Sequence, residues 1–224
     1  MQFSTVLLDW DGCMAKTLQV WMSTYQKVYS RRGIRATSAE IIEKSWGNLS
    51  HGPKNFGIED NEECWREIIV EVRKGTAQVP LYPGVVETIT TLKERKVKLA
   101  IVTSSEKSVL LPALKFNQLD ELIDVVVTEE DVNHPKPHPE IVTYALEKLS
   151  SDVAESIIIG DTGKDIEAGK AAGIATILLC HQENSQFYDF AKYIALRPDF
   201  IATEFSDLER IVSGEYSSEM TTAE

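Results

Sequence analysis

The sequence predicts an α/β protein: a Rossmann-like parallel sheet core with an α-helical cap domain inserted after the first strand. Three observations carry this. Short apolar runs of strand length alternate with helix-length segments through most of the chain, the pattern of βαβ units whose strands are buried on both faces. The interval from about Ala15 to Leu81 breaks that alternation and carries helical periodicity instead. Several strand-like runs also end on carboxylates, hydroxyls or a lysine, at the edge where open parallel sheets bind ligands.

The first run, Thr5–Asp9, leads straight into Asp11 and Gly12. After it, Leu18, Trp21, Met22, Tyr25, Val28 and Tyr29 recur at three- and four-residue spacing and predict an amphipathic helix that Gly33 stops. "TSAE" offers a capping box (Thr37, Glu40) to a second helix, and "DNEE" offers another to a helix through Trp65, Ile68, Ile69 and Val72. Gly75 and "VPLYPG" then close the insert. Further strands are expected at Lys98–Thr103, Ile123–Thr128, Ser156–Gly160, Ala175–Cys180 and Phe200–Thr203. Helices are expected at Val85–Arg95, Lys107–Lys115, Pro139–Leu149, Asp165–Ala172 and Ser206–Val212. The core domain is thus placed at 1–14 and 82–214, the cap domain at 15–81, and a flexible tail at 215–224.

The 224 residues suffice for a core domain with a small companion, and a hydrophobic fraction of 43% is that of a globular protein. A formal charge of −12 repels nucleic acid and anionic membranes, so neither is expected as a main partner. No apolar run is long enough to span a bilayer, and no leader resembling a signal peptide opens the chain. Cys13, Cys64 and Cys180 lie far apart with no CxxC, which fits a reducing compartment. A soluble cytoplasmic protein is expected; the sequence leaves monomer and dimer open.

Two aspartates one residue apart at a strand end repel each other and gain nothing from burial, so a bound cation or a reacting phosphate must make them worthwhile. Strand one ends in "DWDG", with Asp9 and Asp11; the next ends in Thr103, Ser104 and Ser105. The third is followed by "HPKPHP" with Lys136, and the fourth by "GDTGKD" with Asp161 and Asp165. Each piece alone has an ordinary structural explanation: a turn, a helix cap, a solvated loop charge. The ordered set, each member at a strand end, does not.

This set resembles the haloacid dehalogenase-like hydrolases, specifically their phosphatase branch with a helical cap, the group of phosphoglycolate phosphatase and β-phosphoglucomutase. "LLDWDG", "AIVTSS", Lys136 in "KPHP" and "IIIGDTGKDIEAGKAAGI" match its four motifs, and the resemblance spans Thr5 to Val212. It implies Asp9 as a nucleophile forming an aspartyl phosphate. It implies Mg²⁺ held by the Asp9 carboxylate, the Asp11 carbonyl and Asp161, with Asp165 orienting a metal-bound water or pairing with Lys136. Thr103 and the Ser104 N–H would hold a phosphoryl oxygen, with Gly12 beside the substrate, and Lys136 would pair with nucleophile and phosphoryl group. Asp11 would protonate the leaving oxygen and then activate water, a role that favours phosphoryl transfer over dehalogenation.

The family's usual DxDGTL, followed two residues on by an acid, reads here "DWDGCMAKT", with Cys13, Met14 and Lys16 as departures. Lys16 is read either as a neutral change or as positive field at the entrance that binds an acidic substrate. Trp10, Trp21, Trp46 and Trp65 are read as packing residues. "WGNLSHGPKNFG" is the candidate specificity loop, with His51 and Lys54 as candidate substrate contacts. His134 and His138 flank Lys136, but the prolines forbid the helix that would pair them for zinc. A phosphate-binding nucleotide loop fails because Ile158 and Asp165 stand where a glycine and a hydroxyl are needed. The expected activity is Mg²⁺-dependent hydrolysis of a small phosphorylated metabolite. A phosphomutase and a catalytically silent phosphate-binding relative are the alternatives.

Overall fold

The computed structural model describes residues 2–46 and 51–216. Among the described residues six parallel strands form one sheet: β1 (Thr5–Leu8), β2 (Lys98–Thr103), β3 (Val125–Thr128), β4 (Ser156–Gly160), β5 (Ala175–Leu179) and β6 (Phe200–Ala202), in the order β3-β2-β1-β4-β5-β6. The chain winds outward from β1 in both directions, so the order reverses there. The crevice at that reversal, outside the strands' carboxyl ends, is where such sheets bind ligands.

Alternation along the strands splits the core in two. Val6 and Leu8 of β1, with Leu99, Ile101, Ile157 and Ile159, pack beneath α4 (Val85–Glu94), α5 (Lys107–Phe116) and α9 (Asp207–Ser213). Leu7, Ala100, Val102 and Ile158 face α6 (Glu140–Leu149) and α7 (Gly163–Ala172) on the other side. The expected third strand begins two residues late, because the N–H groups of Leu122 and Ile123 both donate to Leu119 and hold Ile123 in a turn. A short helix, α8 (Phe190–Ile194), lies in the polar stretch before β6 that carries no clear periodicity.

Between β1 and α4 the described residues form α1 (Leu18–Ser30), α2 (Ser38–Lys44), a short 3₁₀ turn (Gly52–Phe56) and α3 (Asn61–Thr76). They share a cluster of Trp21, Met22, Tyr25, Val28, Tyr29, Ile41, Cys64, Ile68 and Val72. The Thr37–Glu40 capping box forms as expected. One other expectation fails for a physical reason. Asp60 does not cap α3 with its side chain, because its carboxylate takes the Arg32 guanidinium instead. Gly75 lies in the last turn of α3, where a Cβ would lie 2.6 Å from Val20 Cγ1, so it is the gap that lets α1 approach. The chain leaves and returns side by side, with Lys16 N–H donating to Pro80 and Tyr82 N–H to Met14.

The expected tail begins too early at 215. Tyr216 donates its hydroxyl to the Ile201 carbonyl at 2.8 Å and packs edge-on against Phe200. Residues 217–224 lie outside the described residues. Among the described residues, no helix is long and apolar enough to cross a membrane.

Candidate active site

β1 delivers Asp9 and Asp11, β2 delivers Thr103 to Ser105, and β4 delivers Asp161, with Asp165 in the first turn of α7. Lys136 arrives from the loop between β3 and α6 and is almost fully buried. These residues, with Thr162, Lys164, Trp21 and Trp46, line one cavity of about 40 Å³.

Lys136 organises the floor. Its Nζ donates to Asp9 Oδ1 at 2.7 Å, to Asp165 Oδ1 at 2.5 Å and to the Val102 carbonyl at 3.1 Å, which uses all three ammonium donors. The other Asp165 oxygen accepts from the Thr162 hydroxyl and N–H, so α7 fixes Asp165 as its own cap. The Lys136 loop is tied down in turn: Glu140 accepts from the N–H groups of Asn133 and His134 and pairs with the His134 ring at 2.7 Å. His138 joins this group although no helix pairs the two histidines. Their rings lie 4.7 Å apart, and their ligand atoms and that of Glu140 fall within 4.8 Å of one another.

Asp161 stands differently. It is fully buried, and among the described residues neither carboxylate oxygen has a hydrogen-bond partner. The Tyr188 hydroxyl is close enough to favour its charged form somewhat, yet outside hydrogen-bond geometry. Burial, then Asp9 and Asp165, push the Asp161 carboxyl well above the usual range. Burial likewise raises Asp9, against the pull of Lys136, to about 7. Burial alone would pull the Lys136 ammonium down; Asp165 and Asp9 more than offset it and hold it protonated. Asp9, Asp161 and Asp165 bring ligand oxygens within 4.8 Å of one another, so one lysine faces an excess of negative charge. An all-oxygen set with an orphaned buried carboxylate fits a hard divalent cation such as Mg²⁺.

Two glycines make room for this crowding. Gly12 has φ +78°, and a Cβ there would fall 2.1 Å from Asp161 Oδ2; a Cβ on Gly160 would fall 2.2 Å from Asp165 Cγ. Gly12, expected beside the substrate, is placed against Asp161 instead, and its carbonyl accepts from Asn184.

Asp11 is gripped on both oxygens. Trp21 Nε1 donates to Oδ1 at 2.8 Å, and the Ser105 hydroxyl donates to Oδ2. Thr103 Oγ1 accepts the Ser105 N–H at 3.0 Å and so turns the chain that presents Ser104 and Ser105 to the cavity. Sequence reasoning placed Ser105, the third hydroxyl of "TSS", at the strand end but gave it no role. It missed Trp21, Trp46 and Lys164 as lining residues, because their approach depends on how the helical segment lies. Trp21 and Trp46 do pack in that segment's cluster, as expected, but both also reach the cavity. Trp10 is fully buried in the sheet core. Cys13 is fully buried too, and burial pushes its thiol up, which fits a packing role.

Three expected substrate contacts are not brought here. Lys16 pairs with Glu183 at 2.8 Å and sits over the Tyr82 ring, beside a separate groove. Its charge is engaged there and does not line the cavity. Lys16→Ala is therefore expected to leave KM for any substrate within about twofold and stability within about 1 kcal/mol. A tenfold rise in KM would restore Lys16 to the entrance. His51 and Lys54 line an acidic groove of about 850 Å³ beside the start of α3, away from the cavity. Of the candidate specificity loop only Trp46 reaches the cavity among the described residues, and residues 47–50 lie outside them.

The chain is 31% identical over 217 residues to the pyrophosphatase PpaX of Bacillus mycoides, covering 95% of this chain and 98% of that protein. A crystal structure of a predicted phosphoglycolate phosphatase from Haemophilus somnus superposes with a TM-score of 0.78 at 22% identity, over 94% of this chain and 98% of that one. CbbY from Rhodobacter sphaeroides, solved in complex with phosphate, gives 0.77 at 19% identity, over 92% and 96%. Residues 6–179 match the haloacid dehalogenase-like hydrolase family, and the chain belongs to it.

Proposed function

We propose that the protein is a Mg²⁺-dependent phosphomonoester hydrolase acting on a small phosphorylated metabolite through an aspartyl-phosphate intermediate. The observation that carries the reading is the pairing of a buried Asp9, held by Lys136, with an unpartnered Asp161 beside it. Asp9 and Asp161, with the Asp11 carbonyl, would hold the cation. When bound, it supplies the positive charge that an anionic nucleophile needs to approach an anionic ester.

Asp9 attacks phosphorus as the bond to the leaving oxygen breaks, and Asp11 gives its proton to that oxygen. Thr103 and the Ser104 N–H orient the phosphoryl group while Lys136 neutralises its charge. Asp11, now a carboxylate, takes a proton from the water that cleaves the acyl phosphate, releasing orthophosphate and restoring Asp9. The helical segment over the site acts as a cap that excludes bulk water.

The test is phosphate release from a panel of sugar phosphates, phosphorylated acids, nucleotides and pyrophosphate, in Mg²⁺ and in EDTA, with a mass search for phosphorylated Asp9. Pyrophosphate belongs in the panel because the curated relative carries that activity in its name. Metal-dependent release with a transient adduct of one phosphoryl group on Asp9 is expected. Isomerised sugar phosphate without net release would make the protein a mutase, and silence throughout, with a folded chain, would make it a binding protein.

A further inference from the structure

The two oxygens of Asp11 meet partners of different kinds. Trp21 Nε1–H can only donate, so the oxygen it holds, Oδ1, cannot also carry a proton towards it. The Ser105 hydroxyl on Oδ2 can donate or accept, so it tolerates that oxygen as carboxylate or as carboxylic acid. The indole itself is fixed. Trp21 is fully buried, stacks on Trp65 at 6.2 Å with planes 11° apart, and meets Trp46 edge-on at 5.6 Å. Trp65 Nε1 donates to Glu106, just before α5, at 3.1 Å, and the Trp46 carbonyl accepts from Lys164 at 3.1 Å. Three tryptophans of the helical segment therefore reach three strand ends, β1, β2 and β4, and the one between the other two holds Asp11.

We propose that Trp21 is a positioning residue for Asp11: its indole N–H occupies Oδ1, so the proton given to the leaving oxygen is carried on Oδ2 beside Ser105. This rests on the reading of Asp11 as acid and base given above. The segment that covers the site thereby supplies one of the two groups that hold the acid. Packing alone would need no N–H at this position. A phenylalanine would fill most of the same space.

The consequence depends on the leaving group. An alkoxide leaves poorly and needs the proton as the P–O bond breaks, whereas 4-nitrophenolate leaves with little help. Trp21→Phe keeps an aromatic ring in the stack and removes the N–H. We expect its kcat/KM for the best alkyl phosphate substrate to fall about tenfold further than its kcat/KM for 4-nitrophenyl phosphate. The ratio kcat/KM is the right quantity because it reports the steps up to phosphoryl transfer and not the later hydrolysis of the intermediate. Equal losses on both substrates, or none on either, would overturn the proposal.

A second measurement leaves Trp21 in place. In the ¹⁵N spectrum of the unmodified protein, the Trp21 indole signal is expected downfield of an unbonded indole, and Asp11→Ala should return it upfield. An indole signal that ignores Asp11→Ala overturns the proposal as well. Asp11→Ala that leaves kcat/KM unchanged for the alkyl ester removes the reading of Asp11 itself, and the proposal with it. A Trp21→Phe enzyme indistinguishable from wild type beside an inactive Asp11→Ala removes only the proposal.

Discussion

Lys136→Met is expected to lower kcat by about a thousandfold, the scale seen when a donor preorganised for developing negative charge is removed. Methionine fills a similar volume without the charge. Asp9 is already held near 7 by burial, with Lys136 pulling it down. Without that ammonium its carboxyl rises further, and a protonated carboxyl is no nucleophile at neutral pH. Asp165 loses a partner at the same time, leaving two buried carboxylates short of the cation that joined them. Breaking a buried ion pair from one side costs about 3–5 kcal/mol, because the remaining charge stays desolvated. Urea unfolding of the metal-free variant should show a loss of that order, and single-turnover kinetics should show the chemical step slowed. A variant keeping a tenth of wild-type turnover would mean that something other than Lys136 keeps Asp9 ionised.

The motif residues were legible because a parallel sheet leaves little freedom at its strand ends. Once β1, β2 and β4 are neighbours in register, Asp9, Thr103 and Asp161 must converge, whatever the helices do. Local chemistry was equally readable where it closes within a few residues, as in the Thr37–Glu40 box. What the sequence hid depends on contacts between segments far apart in the chain. Asp60 looked like a cap until Arg32 was found beside it, 28 residues away. Gly75 read as part of the close of the insert, and nothing near it in the chain showed that its missing side chain serves Val20 across a helix interface. Lys16 stood where an acid is usual and invited a role at the entrance. Its partner, Glu183, lies in a polar stretch with no periodicity to place it. Trp21 showed only helical spacing, which fixes a face and not the atom its indole will meet.

Mg²⁺ is expected to stabilise the folded chain, and by more at pH 8 than at pH 5. Asp9 has a folded pKa of about 7 against an ordinary 3.8, and Asp161 is raised in the same direction. A carboxyl raised in this way binds its proton more tightly folded than unfolded. Its contribution is therefore fully favourable below about pH 4 and is lost as pH climbs towards 7, so the metal-free protein weakens across that range. A divalent cation supplies at high pH the positive charge that protons supply at low pH, and its binding releases them. At a metal concentration a hundred times Kd, mass action contributes about 2.7 kcal/mol, and the proton competition at pH 5 should erase most of it. Thermal unfolding in Mg²⁺ and in EDTA across pH 5 to 8 reads this directly. Asp161→Asn should flatten both dependences, since the orphaned carboxylate that creates them is gone. A magnesium shift unchanged by pH, or surviving Asp161→Asn intact, would put the cation elsewhere and leave the buried charge of Asp161 without a reason. Lys136 cannot supply that reason, because its three donors are already spent on Asp9, Asp165 and the Val102 carbonyl.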